Sequence, residues 1–311
     1  EADVRGQQLI LEKTVIGDSS FVGNSALIPQ GYNLPSRMLI GVLSTPPEPE
    51  QLIDKPGGDW FGSPAIQLPR RQESRTFPAE KTLKPSPPRI LGRSIVEFIR
   101  IILPETTILI CFTIFIAYAH DLLVDKPLWQ IITLMPLYYL YYMGLPAFLV
   151  TFALKWLLVG KYKPEQQPMW TPRVWISEAI TSTYEALTVP FLLDYLKGTP
   201  WLPLILRLLG VKTGKRVWMN TTDITEYDMV DIGDDTALNE DCGPQTHLFE
   251  DRVMKVGPIK IGKRCNVGAR SIILYDSEIA DDVSLEPLSL VMKGEHLQPG
   301  TSWGGSPVKP A

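Results

Sequence analysis

From Ile10 an aliphatic side chain returns at every sixth position, through Ile16, Val22, Ile28, Leu34 and Ile40, and Gly17, Gly23 and Gly41 follow three of them. The same period reappears at Ile261, Val267, Ile273, Ile279, Leu285, Val291 and Leu297, with Gly262 and Gly268 behind the first two. An amphipathic helix repeats near 3.6 residues and drifts out of a phase of six, and a half-buried strand would show a period of two rather than six over such a run. Each six-residue unit is expected to be a short strand and a turn. Three units then make a triangular coil with the sixth-position aliphatics stacked inside it. Glycine or small polar residues are expected at the tight corners, where a positive φ costs them least. The expected fold class is therefore an all-β left-handed parallel β-helix of hexapeptide repeats, combined with the transmembrane α-helices described next.

No charge occurs from Thr106 to Ala119, and none from Pro127 to Leu154. Each run is long enough to belong to a helix that crosses a hydrocarbon core of roughly 30 Å. Trp129, Tyr138, Tyr139, Tyr141, Tyr142 and Trp156 supply interfacial aromatics, and Pro136 and Pro146 are expected to kink the second span. The link between the runs carries only Asp121, Asp125 and Lys126, while eight Lys or Arg lie between Arg70 and Arg100 and more follow at Lys155, Lys161, Lys163 and Arg173. That asymmetry predicts a multi-pass membrane protein with both soluble blocks in the cytoplasm. The expected division is the end of a preceding β-helix at 1–45, a Pro- and base-rich linker at 46–93 and a transmembrane hairpin at 94–160. Interfacial helices that meet membrane lipid follow at 161–210, then the second β-helix at 211–311. A chain that opens on Glu1 with its repeat already running by Ile10 is expected to be a piece of a longer polypeptide.

The repeat loosens between Val217 and Asp251, and a non-repetitive insertion at 243–257 reads GPQTHLFEDRVMKVG before Pro258 restores the period. Function concentrates where a regular scaffold is interrupted. The insertion holds His247, which beside carboxylates is placed to take a proton from an attacking amine or hydroxyl. Glu226, Asp228, Glu250 and Asp251 are the candidates to hold an amine substrate and orient the imidazole. The three cysteines, Cys111, Cys242 and Cys265, have no CxxC spacing, so no structural metal site is expected. The net charge of −4 and the acidic stretch from Asp223 to Asp251 suit a cationic substrate, and no nucleic-acid partner is expected.

The order Ile232-Gly233, Asn239, His247, Pro258, Ile261-Gly262, Val267-Gly268 and Trp303-Gly304-Gly305-Ser306-Pro307 resembles the hexapeptide-repeat acetyltransferases of the galactoside and maltose type. That resemblance implies a loop histidine as general base and an acceptor-contacting asparagine one coil earlier, roles that pass to His247 and Asn239. The runs DWFGSPAIQLPRRQ at 59–72, LKGTPWLPLILRLLGVKTGKRVWMNTTDITEYD at 196–228 and QTHLFEDRVMK at 245–255 resemble the carboxy-terminal region of ε-poly-L-lysine synthetase-type nonribosomal peptide synthetases. This second resemblance implies upstream adenylation and carrier domains as partners and an aminoacyl thioester on a phosphopantetheine arm as the acyl donor. The activity it implies is amide-bond formation with an amine such as lysine. Coenzyme A-dependent acetyl transfer and a non-catalytic membrane scaffold are the alternatives, and repeat domains of this kind also assemble as homo-oligomers.

Overall fold

The computed structural model of the chain describes residues 3–54, 58–68 and 75–311. In the carboxy-terminal block, strands Ile259–Ile261, Asn266–Val267 and Ile272–Leu274 fall in turn on three different sheets. The next three strands return to the same sheets in the same order, each pairing in parallel 18 residues on, Lys260 with Glu278, Asn266 with Ser284 and Ile272 with Leu290. The sixth-position aliphatics all point inward. Ile261, Val267, Ile273, Ile279, Leu285, Val291 and Leu297 are each at most 3% exposed.

The expected place of the glycines needs correction. The residues with left-handed φ recur every six positions, but they are Arg264, Arg270, Asp276, Asp282, Leu288, Gly294 and Gly300. Gly262 and Gly268 lie two residues earlier and serve close approach instead. A Cβ on Gly262 would sit 2.7 Å from the backbone of Ala280 in the next coil, and one on Gly268 2.4 Å from Pro287 N. Glycine here lets coils stack at strand spacing, while ordinary side chains tolerate the corners.

The amino-terminal block repeats the 18-residue step, with Val15 opposite Asn33 and Phe21 opposite Leu39, but its interior closes only later, since Leu34 and Ile40 are buried while Ile16 is exposed. It runs further than its repeat suggested. Strand Asp59–Phe61 pairs in parallel with Leu39–Ile40 and antiparallel with Ile66–Gln67, burying Trp60 and Phe61. The region expected to be a linker at 46–93 therefore completes the block as far as Leu68. Arg70 and Arg71 of its basic run lie outside the described residues. The carboxy-terminal block ends the same way, with Ser302–Gly304 turning back onto Lys309–Pro310. The two terminal hairpins meet: Ser63 N–H donates to the Ser306 carbonyl at 3.2 Å. Val42 and Phe61 share a core with Leu248, Leu274, Tyr275 and Leu290.

Helix α1 (Pro87–Asp125) and the composite helix α2 (Leu128–Val159) are long and apolar enough to cross a membrane, with mean hydropathy of 2.0 and 1.6 over their most apolar windows. α1 begins seven residues before the boundary expected at 94. α2 passes through both prolines with a π turn at Leu140–Gly144 between them, which re-registers the backbone bonds that proline breaks. Tyr118 of α1 stacks on Tyr142 of α2 at 4.8 Å.

The segment expected to lie at the interface is more varied. Strand β1 (Glu165–Pro168) is followed by helix α3 (Pro172–Thr183), which continues as a π turn at Tyr184–Thr188. α3 and its π turn form an interior wall, with Val174, Trp175, Ile180, Tyr184 and Leu187 buried against α1, α2 and the β block. Helix α4 (Trp201–Leu209) covers the first coil through Leu202, Leu206 and Leu209, none of which is exposed. Its other side presents Trp201, Leu204 and Leu208 outward.

Candidate active site

Where Val230 pairs with Ile259 the coil step is 29 residues rather than 18. The additional chain leaves the coil as a hairpin of β2 (His247–Glu250) and β3 (Val253–Val256), and β1 adds to it as a third strand. A two-residue turn at Asp251 and Arg252, both at positive φ, closes the hairpin. His247 is thus the first residue past the coil, held on a strand. Its ring packs edge-on against Phe249 at 5.6 Å between centroids.

One coil earlier, Glu226 stands at the start of a tight turn with φ of +38°, and Met229 N–H donates to its carbonyl at 2.7 Å. The Glu226 side chain has no exposure, and its Oε2 lies 2.7 Å from His247 Nδ1. The hydroxyls of Thr246 and Thr225 donate to the same oxygen at 2.6 and 2.9 Å, and Ser177 of α3 reaches Oε1 at 3.4 Å. Burial would raise the Glu226 pKa, but the His247 charge and these hydrogen bonds outweigh it and hold the carboxyl below its ordinary value. An ionised carboxylate only accepts, so Nδ1 carries the proton and Nε2 is left as the basic atom. For His247, burial disfavours the imidazolium, yet the Glu226 charge and hydrogen bond override it and raise the pKa above that of a free imidazole.

The dyad opens on a cavity of about 200 Å³. Arg100 of α1, Ser177, Glu178, Thr181, Ser182 and Glu185 of α3 and its π turn, and Met254 of β3 line it with Glu226 and His247. Glu178 is held by Arg93, which also pairs with Glu97. Burial, then the Asp223 charge, raises the Glu185 pKa against the pull of His247, and burial likewise raises Asp223. Burial here thus penalises uncompensated charge of either sign.

Of the residues expected from the sequence, only His247 and Glu226 are brought together here. Asp228, two residues from Glu226, turns away to Lys155 of α2 at 2.9 Å. Glu250 bridges Lys255 and Lys293 at 2.7 Å each, and these two cations overcome its burial and keep its pKa low. Asp251 occupies the hairpin turn, and the Asn239 amide donates to Asn266 Oδ1 and to the Val267 carbonyl. None of these four lines the cavity. The α3 wall was missed, although Ser177, Glu178, Thr181, Ser182 and Glu185 form a polar stripe at helical spacing within an otherwise apolar segment.

No protein-family profile matches the chain. Over 310 residues, the whole of its length, it is 44% identical to a delta-poly-L-ornithine synthetase of Acinetobacter baumannii (strain AB307-0294), and it spans 23% of that protein. Among solved structures it is similar to a maltose O-acetyltransferase from Clostridium difficile 630, at 21% identity over 35% of this chain and 73% of that one, with a TM-score of 0.31. A hexapeptide-repeat acetyltransferase from Vibrio cholerae matches at 18% identity over 33% and 62% of the two chains, TM-score 0.30. An N-acyltransferase from Bacillus cereus, solved with coenzyme A and an amino sugar nucleotide, matches at 17% identity over 32% and 57%, TM-score 0.25. Along its whole length, then, the chain is similar to one region of a poly-amino-acid synthetase, the class its sequence motifs resemble.

Proposed function

We propose that this chain is the amide-bond-forming acyltransferase region of a membrane-bound poly-amino-acid synthetase, with His247 as its general base. The observation that carries the reading is the Glu226–His247 dyad, formed by a fully buried carboxylate and opening on a polar cavity lined by Glu178, Glu185 and Arg100. An amine attacks only when neutral, and an alkylammonium near pKa ~10.4 is almost wholly protonated at neutral pH. Glu178, Glu185 and Asp223 favour entry of the ammonium. The ammonium first releases one proton to solvent, and His247 Nε2 takes a second as the now neutral amine nitrogen bonds to the thioester carbonyl carbon. The carbon–sulfur bond then breaks and the imidazolium returns its proton to the departing sulfur, leaving an amide and a thiol.

The acyl donor would be an aminoacyl thioester on the phosphopantetheine arm of a carrier domain, supplied by partner domains outside this chain. That arm brings an activated acyl group, and the hydroxyls of Ser177, Thr181 and Ser182 suit its polar end. The curated relative is named for polymerised ornithine, so a diamino acid is the acceptor class we assign here, lysine and ornithine included. The β blocks would be left-handed β-helices on the cytoplasmic side, tethered by α1 and α2, with α4 resting on lipid.

In the full-length synthetase, His247→Ala should leave adenylation and carrier loading intact while elongation falls by roughly 10²-fold or more. Near wild-type elongation without His247 would return the domain to a scaffold. Tight binding of free coenzyme A with acetylation of a small acceptor would instead favour the coenzyme A-dependent alternative.

A further inference from the structure

Lys155 ends the regular part of α2 and begins its last π turn, with its ammonium wholly buried. Its Nζ lies 2.9 Å from Asp228 Oδ2, close enough for an ion pair though off the hydrogen-bond direction, and 3.3 Å above the Trp156 ring. A buried cation at the end of a membrane-type helix is costly unless paired, so the pairing is not incidental. Asp228 is held a second time, by Tyr162 N–H at 3.0 Å. The Tyr162 hydroxyl in turn meets Ser177 Oγ at 3.3 Å, and Ser177 reaches Glu226 Oε1. Gly210 is open for the same carboxylate, since a Cβ there would lie 2.6 Å from Asp228 Oδ1. Between Glu226 and Asp228, the Tyr227 ring is buried edge-on against Tyr184 at 5.4 Å, so the turn has little room to move as a unit.

We propose that Asp228 and Lys155 form a positioning latch, which fixes the turn carrying Glu226 to the end of α2 and thereby aims the Glu226–His247 dyad. This inference rests on the dyad's proposed catalytic role. It reassigns Asp228 from substrate contact to alignment. Neither latch residue lines the cavity, so any effect on catalysis must pass through Glu226. The groups that face His247 are Glu226 and Asp223 from the β block, Glu178 and Glu185 from α3 and its π turn, and Arg100 from α1, and the test alters none of them.

The test uses Asp228→Asn and Lys155→Met in the full-length synthetase, with Lys155→Met/Asp228→Leu as an apolar replacement should either single variant fail to fold. Single-turnover elongation from pre-loaded carrier is measured against pH. Released from the latch, Glu226 supports the imidazolium less well, so the acidic limb should move to lower pH. Elongation should slow by about tenfold or more, since small misalignment of a catalytic group is expensive. Lys155→Arg, which keeps the charge, should restore most of the rate and the limb. A limb that stays in place in the folded variants overturns the proposal, whatever the rate. Failure of the dyad itself would show separately, as elongation that persists in His247→Ala.

Discussion

Glu226→Gln removes the charge of the dyad while nearly keeping its shape. Glu226 Oε2 accepts from His247 Nδ1 and from two threonine hydroxyls, and a glutamine oxygen keeps the accepting capacity but not the charge. A hydrogen bond to a charged group contributes about 1.5–3 kcal/mol. If that is expressed at the transition state, where His247 becomes an imidazolium, the rate falls by roughly 10-fold to 10²-fold at ~1.36 kcal/mol per decade. The pH profile is the sharper measurement. In the wild type burial lowers the His247 pKa, but the Glu226 charge and hydrogen bond override it and hold the value above that of an ordinary imidazole; without them burial is opposed by the charges of Glu178 and Asp223 alone. In the proposed mechanism the neutral imidazole is the active form, so elongation should rise with pH through that pKa. The acidic limb should therefore move to lower pH. The assay is single-turnover transfer from loaded carrier between about pH 5 and pH 9, a span that brackets an imidazole near 6.5. A limb that stays put or moves upward refutes the dyad.

Thermal unfolding of the same variant carries its own sign. The raised His247 pKa gives stability below ~6.5 that is lost as pH rises through the folded value, and the lowered Glu226 pKa gives stability above ~4.3 that is lost as pH falls. The gap between wild type and Glu226→Gln should be widest between those two values, and a gap that widens steadily to alkaline pH would contradict the pairing. Ile273→Asp places a carboxylate at a position 1% exposed and should cost several kcal/mol, so unchanged thermal stability would show the repeat register to be wrong. Gly262→Ala drives a Cβ into the next coil's backbone and should cost roughly 1–3 kcal/mol, whereas Gly294→Ala, at φ +73° with open space around it, should cost less; the reverse order in Tm would refute the stacking argument. A probe on Leu204→Cys of α4 should show lipid-quenched, blue-shifted emission in nanodiscs, and water-like emission would take α4 off the membrane.

The repeat could be read because its period is set by geometry local to each strand and turn. Every sixth-position aliphatic from Ile261 to Leu297 is buried as that period requires. The two apolar spans were legible for a similar reason, since an uncharged run needs no partner to be recognised. His247 stood out because the insertion breaks the period around it. Its carboxylate partner did not. Glu226 and Asp228 lie two residues apart in one acidic stretch, and which of them faces the histidine depends on the left-handed conformation of Glu226, a tertiary outcome. Glu250 was equally attractive on paper, but Lys293, 43 residues away, draws it off. Asn239 was assigned by order along the chain. An 11-residue excess in the coil step after it helps explain why order alone does not put it beside the histidine.

The two walls of the cavity have different origins, and this bears on where the chemistry can take place. The coil contributes a histidine and a carboxylate, a dyad that by itself faces open solvent. The opposite wall is α3 with its π turn, which is held by the helical hairpin: Thr188 Oγ1 donates to the Ala147 carbonyl of α2 at 2.9 Å, and Arg93 of α1 grips Glu178. The chamber therefore exists only where the β block is docked against the helical hairpin. Water exclusion around the dyad, which strengthens its electrostatics, then depends on helices whose exposed surfaces are apolar. The hairpin is therefore a structural part of the site. Removing it should abolish transfer even if the β block folds and the carrier remains loaded.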